Sequence, residues 1–184
     1  MYQPGSIVLE TERLILRPFV PEDADAMFHN WAADPEVTRF LRFAPHESAA
    51  VSRWVIETWL AEYARPDYFH WAVVCKDDAE VIGSLGILCC DGCGDEPEGF
   101  SAGYCIGRRW WNKGYTSEAL QAAVGHVLAT GVSVLHCCHA VENPASGRVM
   151  EKAGFTYCGD TVYHKPDGTV VPARQYILRA SVIE

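Results

Sequence analysis

Basic residues are scarce in this chain: 15 Lys and Arg stand against 24 Asp and Glu, a formal charge of −9. Affinity for nucleic acid comes mainly from cations that neutralise phosphates, so no nucleic-acid partner is expected. Long apolar runs are missing as well. No stretch approaches the ~18 apolar residues that a membrane-spanning helix needs. The opening Met1-Tyr2-Gln3-Pro4-Gly5 lacks the basic region and apolar run of a secretory signal. Repeats, linkers and low-complexity tracts are absent too. What is present, 49% hydrophobic and 21% charged residues, is the composition of an ordinary globular protein. A chain of 184 residues buries roughly 70% of its unfolded surface without staples. The expectation is one domain over residues 1–184, cytoplasmic and free of membrane. The acidic balance mildly favours a cationic acceptor or partner.

Cysteine is not scarce, with eight in the chain. Without a signal peptide a disulfide framework is not expected. Cys75, Cys105, Cys137, Cys138 and Cys158 lie in apolar, strand-like runs, where a reduced Cys behaves as a small buried hydrophobe. The metal reading rests on Cys90-x-x-Cys93 and on His136-Cys137-Cys138-His139. A closed zinc site wants four convergent ligands, and alternate residues of a strand point to opposite faces, so the second cluster offers one pair at a time. No metal is expected, and a zinc-stabilised interaction domain is the weakest of three functional readings.

Periodicity orders the elements. Leu14-Ile15-Leu16 reads as a first strand, and Ala24, Met27, Phe28 and Trp31 recur at helical spacing before Asp34-Pro35 breaks the helix. A second helix runs from about Ser48 to Tyr63, with Val51, Trp54, Val55 and Trp59 on one face. Strands follow at 70–75, 81–88 and 102–106, with a Gly- and acid-rich loop over 90–99. Gly83 and Gly86 within the second of these suggest a bulge or a close backbone approach. A helix over 116–128 and a strand over 132–141 come next. Asn143-Pro144 opens a short helix as N-cap and first residue, and Gly154 closes it. A final hairpin turns at Pro166-Asp167-Gly168. The order β-α-α-β-β-β-α-β-α-β-β is α/β.

One segment reverses the charge of the whole. Between Gly99 and Ser117 there is no Asp or Glu, yet Arg108, Arg109 and Lys113 are there. The segment spans a strand end, a tight loop at Asn112-Lys113-Gly114 and the start of a helix. Unpaired N–H groups and the helix dipole make such a start a natural phosphate site, and Gly114 lets the backbone approach an anion closely. The spelling is neither of two familiar phosphate loops. Lys113 precedes Gly114, unlike Walker A, and Gly92-x-Gly94 is followed by Pro97 where the dinucleotide fingerprint has Gly. On spacing alone a solvated basic loop and an anion site remain equal alternatives.

The run Trp110-Trp111-Asn112-Lys113-Gly114-Tyr115-Thr116-Ser117-Glu118-Ala119-Leu120 resembles the acetyl-CoA pyrophosphate loop of the GNAT superfamily, in its ribosomal-protein N-acetyltransferase-like branch. Thr11 to Pro18, Asp34-Pro35-Glu36-Val37, and Asn143-Pro144-Ala145-Ser146 with Val149 to Phe155 are similar to that branch's opening strand, first interhelical loop and second cofactor motif. The resemblance implies a GNAT-like fold, a mixed central sheet of about seven strands flanked by helices on both faces. It implies an acetyl-CoA-dependent N-acetyltransferase acting on a protein N-terminus or a small amine. The strand through Tyr104 and Ile106 would pair with the pantetheine arm as an added strand does. Asn112, Lys113, Gly114, Tyr115 and Thr116 would meet the pyrophosphate, with Arg108, Arg109 or Lys113 near the phosphates. Asn143 would bond the pantetheine arm, and Ser146 would lie near the thioester sulfur. The residues themselves read equally as a helix N-cap and a first-turn Ser bonded locally. Homodimers are common among similar proteins.

Four positions depart from the family pattern. Trp111 and Thr116 stand at the outer positions of Q/R-x-x-G-x-G/A, and Met150 stands where many relatives carry a proton-donating Tyr. Methionine donates no proton, which leaves Ser146 as the donor, directly or through water. Ser101 occupies the strand position where relatives frequently place a Glu, leaving Glu98 as the nearest carboxylate upstream and the candidate general base. An N–H near Ile106 would stabilise the tetrahedral oxyanion. Tyr104 and Trp110 are candidates to line the acceptor cleft. The missing Tyr at Met150 and the missing carboxylate at Ser101 support the second reading, an acyl-CoA-binding module without turnover.

Overall fold

The computed structural model describes residues 5–91 and 98–180. Eight strands form a single sheet in the order β1-β2-β3-β4-β5-β6-β8-β7. Their ranges are β1 Leu9–Glu10, β2 Leu14–Arg17, β3 Phe69–Cys75, β4 Val81–Asp91, β5 Glu98–Ile106, β6 Val134–Ala140, β7 Thr156–His164 and β8 Val170–Arg179. The helices are α1 Ala24–Met27, α2 Pro35–Thr38, α3 Ala49–Glu62, α4 Tyr115–Ala129 and α5 Pro144–Lys152. A wider π-turn over Phe28–Ala32 prolongs α1. The expected order is present, with the two-residue edge strand β1 and the single-turn α2 in addition. Asp34-Pro35 does end the first helix, but it also starts the next. Asp34 accepts the Glu36 N–H at 2.9 Å and Pro35 takes the first helical position, where its missing N–H costs nothing. The acid-rich loop is shorter than expected, because β4 and β5 stay in register as far as Asp91 opposite Glu98. Cys93 lies outside the described residues, and among those described no group of three or more His, Cys, Asp and Glu converges to hold a metal.

Strand β3 shows how the layers are held apart. All seven of its residues are buried, and alternate side chains enter opposite faces. Trp71, Val73 and Cys75 pack with Leu120, Ala123 and Val127 of α4, while Ala72 and Val74 pack with Met27, Trp31 and Ile56 beneath α1 and α3. The inward face of α3 differs in part from the expected one. Ser52 and Ile56 are its buried residues and Trp54 is 63% exposed, so of the 51/54/55/59 stripe it is Val55 and Trp59 that pack against the core. Ile56 is fully buried and, as an aliphatic side chain, fills the space against α1 without a polar tip to satisfy. Among the strand cysteines, Cys75 and Cys137 are buried, but Cys158 is exposed, because edge strand β7 turns that face to solvent. The Gly83 expectation is met twice. β4 carries an extra residue where Val73 pairs Gly83 and Val74 pairs Val81, and a Cβ on Gly83 would stand 2.2 Å from the Cys105 carbonyl oxygen.

The feature that makes a site is a failure of pairing. β5 and β6 run parallel and are joined through Phe100–Leu135, Ser101–His136 and Ala102–Cys137. Beyond Ala102 and Cys137 the two strands part. The Gly107 N–H goes to Ile82 of β4 at 2.8 Å. Alternate residues of an antiparallel strand address opposite edges, so Tyr104 and Ile106 turn their backbone groups into the gap. Two cavities open there.

Candidate active site

The first cavity, of 440 Å³, runs from the gap to the start of α4. Its far end is the loop 112–116. Asn112 and Gly114 both have positive φ, 60° and 81°, a conformation that Asn and Gly tolerate and that makes successive N–H groups converge. α4 bonds Glu118 N–H back to Gly114, which leaves the N–H groups of its first residues without partners inside the helix. Arg13, at the threshold of β2, fastens this loop from outside. Its guanidinium donates to the Lys113 carbonyl at 2.8 Å and to Glu118 at 2.7 Å, and its own N–H meets the same carboxylate at 2.9 Å. Thr11 Oγ1 adds a bond of 2.6 Å to Glu118, and the guanidinium stacks on Tyr115 at 4.7 Å. Burial pushes the Glu118 carboxyl up, but the bonds from Thr11 and Arg13 outweigh it, and it lies below its ordinary value. Carbonyls are drawn outward and N–H groups remain for an anion.

Nearer the gap, Tyr104 reaches across to α5. Its hydroxyl donates to the Ser146 carbonyl at 3.0 Å and lies 2.9 Å from Ser146 Oγ. Burial raises the Tyr104 phenol well above its ordinary value, so it stays protonated. Asn143 caps α5, its Oδ1 accepting the Ser146 N–H at 3.4 Å, and it also borders the cavity. Trp111 donates its indole N–H to the Ile106 carbonyl at 2.7 Å, evidence that this carbonyl faces the gap.

Tyr104, Asn143 and Ser146 also line the second cavity, 430 Å³ on the other side of them. Its walls include Phe43, Trp59, Leu88, Met150 and the hydroxyls of Ser84 and Ser101. His70 sits at its base, Nδ1 3.1 Å from Tyr68 Oη and Nε2 2.9 Å from Ser84 Oγ. Burial lowers the imidazole from 6.5 to about 3, so it is neutral and a weak base. The folded protein therefore resists a proton that the unfolded chain accepts below pH 6.5. The penalty is absent above that pH, grows as pH falls, and is complete near pH 3. At pH 5 it amounts to about 2 kcal/mol. The melting temperature of His70→Gln is thus expected to fall less between pH 6.5 and 5 than the parent's, by ~4–8 °C. Equal slopes in thermal melts would show that His70 titrates alike in both states.

The fold brings Tyr104, Ile106, Asn112, Gly114, Thr116, Asn143 and Ser146 to the first cavity. Arg108 and Arg109 are elsewhere: the first pairs with Asp34 at 3.0 Å, the second approaches Asp78 at 3.8 Å and stacks on Trp110. Lys113 contributes its held carbonyl, and Tyr115 is buried with its hydroxyl toward Cys75. The backbone of Glu98 opens β5, six residues and ~20 Å of extended strand from Tyr104. The cations on the cavity wall are instead Arg148 and Lys152 of α5, neither of them ion-paired among the described residues. Their spacing of four on one helix is the signal that identifies them. A cradle of N–H groups, two free cations and a strand edge suits a ligand with a polyanionic end and an amide-bearing arm, as coenzyme A has.

Comparison with known proteins agrees. Residues 13–156 match the family described as "Acetyltransferase (GNAT) domain". The N-acetyltransferase YoaA of Bacillus subtilis (strain 168) is 32% identical over 149 residues, 80% of this chain and 82% of that protein. Among solved structures, the microcin C7 self-immunity acetyltransferase MccE, in complex with acetyl-CoA and AMP, superposes with a TM-score of 0.80 at 14% identity, covering 97% of this chain and 98% of that one. RimL, the ribosomal L7/L12 α-N-protein acetyltransferase in complex with coenzyme A, gives 0.77 at 18% identity over 94% and 98%. At such identities the two structures speak for the fold alone. The fold and site define an acyltransferase of the split-sheet kind. The chain belongs to the GNAT family of N-acetyltransferases, whose reaction is acetyl transfer from acetyl-CoA. No helix among the described residues is long and apolar enough to cross a membrane.

Proposed function

We propose that this protein, acting as one catalytic domain, transfers the acetyl group of acetyl-CoA to a primary amine by direct attack. The observation that carries the reading is the meeting of two cavities at Tyr104, Asn143 and Ser146. One has the features of a coenzyme A site and the other is open to an acceptor. The pyrophosphate takes the N–H groups of 112–116, Arg148 and Lys152 meet its charge, and the arm lies along the gap edge of Tyr104 and Ile106. The neutral amine nitrogen attacks the thioester carbonyl, the N–C bond forms, and the negative charge on the carbonyl oxygen is met by a backbone N–H near Ile106. The C–S bond then breaks. Ser146, whose hydroxyl Tyr104 holds in place, passes its proton to the thiolate and takes up in its stead the proton shed by the amine, relayed through the hydroxyls and water of the acceptor cavity. Among the described residues no carboxylate lines that cavity.

A binding module without turnover is the second reading, supported by Met150 and Ser101 at positions where relatives carry catalytic groups. Thermal melts and product analysis separate the two. Acetyl-CoA or CoA at 100 times its dissociation constant adds ~2.7 kcal/mol, or roughly 5–11 °C for a domain of this size, whereas NAD and ATP add none. Acetylated amine detected by mass spectrometry supports the enzyme. Stabilisation without product from any amine supports the module, and no stabilisation by either thioester or thiol removes both.

A further inference from the structure

The acceptor cavity carries a chemical selection that the net charge of the chain obscures. A protein at −9 invites a cationic acceptor, yet none of its carboxylates, among the described residues, lines this cavity. Apart from Arg42, the polar groups on its walls are hydroxyls, thiols, the Asn143 amide and the imidazoles of His70 and His139. A polyamine or aminoglycoside reacting here would bring further ammonium groups into a space with no counter-charge, at a cost of desolvation that nothing returns.

The charge that does border the cavity is positive. Arg42 stands at its mouth, and its guanidinium lies over the Tyr163 ring at 5.2 Å and points one nitrogen at Cys138 Sγ, 3.7 Å away. Its position is set from two sides. Tyr163 Oη donates to the Phe40 carbonyl at 2.8 Å, and Lys165 donates to the Arg39 carbonyl, so the last hairpin clips the segment 39–42 over the opening. Unlike Arg13, Arg17, Arg39, Arg65, Arg108 and Arg109, Arg42 has no carboxylate partner among the described residues. A stacked, planar guanidinium with free N–H groups is suited to a bidentate carboxylate. Behind it the walls are aromatic and aliphatic, with Trp59 edge-on to His70 at 4.3 Å.

Resting on the acetyltransferase reading above, we infer that the acceptor is a primary amine on an apolar or aromatic body that also bears a carboxylate, bound by Arg42, as in an apolar amino acid. The test compares matched amines with and without the carboxylate: L-phenylalanine against phenethylamine, and 4-(aminomethyl)benzoate against 4-methylbenzylamine, with spermidine and kanamycin as polycations. Acetylated product is read by mass spectrometry at fixed acetyl-CoA. The carboxylate-bearing member of at least one pair is expected to exceed its partner by at least ~10-fold in kcat/KM, a difference of 1.4 kcal/mol, and to exceed both polycations. In Arg42→Gln that ratio is expected to fall to about 2 or less, with the loss in KM rather than kcat, and Arg42→Lys keeps part of it because charge without the planar fork remains. Spermidine or kanamycin reacting faster than every carboxylated amine would overturn the inference. So would a ratio that Arg42→Gln leaves unchanged. Either result leaves acetyl transfer standing, whereas product from none of the amines, with acetyl-CoA still bound, would overturn the transferase reading and this one with it.

Discussion

Replacing Gly114 with aspartate is expected to weaken acetyl-CoA binding by at least ~100-fold, since a carboxylate some 4 Å from a phosphate costs about 4 kcal/mol near a protein surface. Gly114 sits at φ 81° immediately before α4, and the nearest atom to an added Cβ is Arg13 Nη2 at 3.3 Å. The substitution therefore places negative charge at the mouth of the N–H cradle without meeting rigid backbone. Two effects must be separated. Any side chain at positive φ is strained by about 1–2 kcal/mol, a cost to the fold that Gly114→Ala shares. The electrostatic loss belongs to aspartate alone. Titration calorimetry with acetyl-CoA on both variants, alongside thermal melts, resolves them: alanine lowers the melting temperature with affinity largely kept, and aspartate removes the affinity as well. Aspartate binding acetyl-CoA as the parent does would move the phosphates away from this loop.

Ser146→Ala has the second large effect, a fall of ~100-fold or more in kcat, the range of a lost general acid. The geometry makes this variant informative. Tyr104 donates its hydroxyl to the backbone carbonyl of residue 146, and alanine retains that carbonyl, so Tyr104 keeps its place. The Ser146 N–H accepted by Asn143 is likewise backbone, and the α5 cap survives. What disappears is one hydroxyl. KM for acetyl-CoA is expected to change little. Parental turnover in Ser146→Ala would reduce the residue to a local contact of the helix.

The phosphate loop was legible because its signals are local. A Gly that permits positive φ, a helix start and an acid-free stretch lie within a few residues of one another. The charges around it were not. Arg108 and Arg109 look like phosphate ligands in the chain, and Asp34 and Asp78 claim them only because folding brings distant segments together. Arg148 and Lys152, four residues apart on a short helix, share one face, but only the fold sets that face on the cavity wall. The inward face of α3 was legible in part: Val55 and Trp59 pack against the core, but Trp54 is exposed and the smaller Ile56 is fully buried. Glu98 is the nearest carboxylate upstream in sequence. Along an extended strand, nearness in sequence is distance in space.

The fastening of the loop to Arg13 reaches beyond geometry. Arg13 and Glu118 are 105 residues apart in the chain, and Arg13 immediately precedes β2, whose outer neighbour is the two-residue β1. Short edge strands open more readily than central ones. Each opening of this margin releases the Lys113 carbonyl and relaxes the cradle, and a bound pyrophosphate opposes it. Saturation with coenzyme A is thus expected to slow amide hydrogen exchange in residues 11–16, a segment that does not line the coenzyme cavity. Fraying at the sheet margin and retention of the coenzyme become one equilibrium.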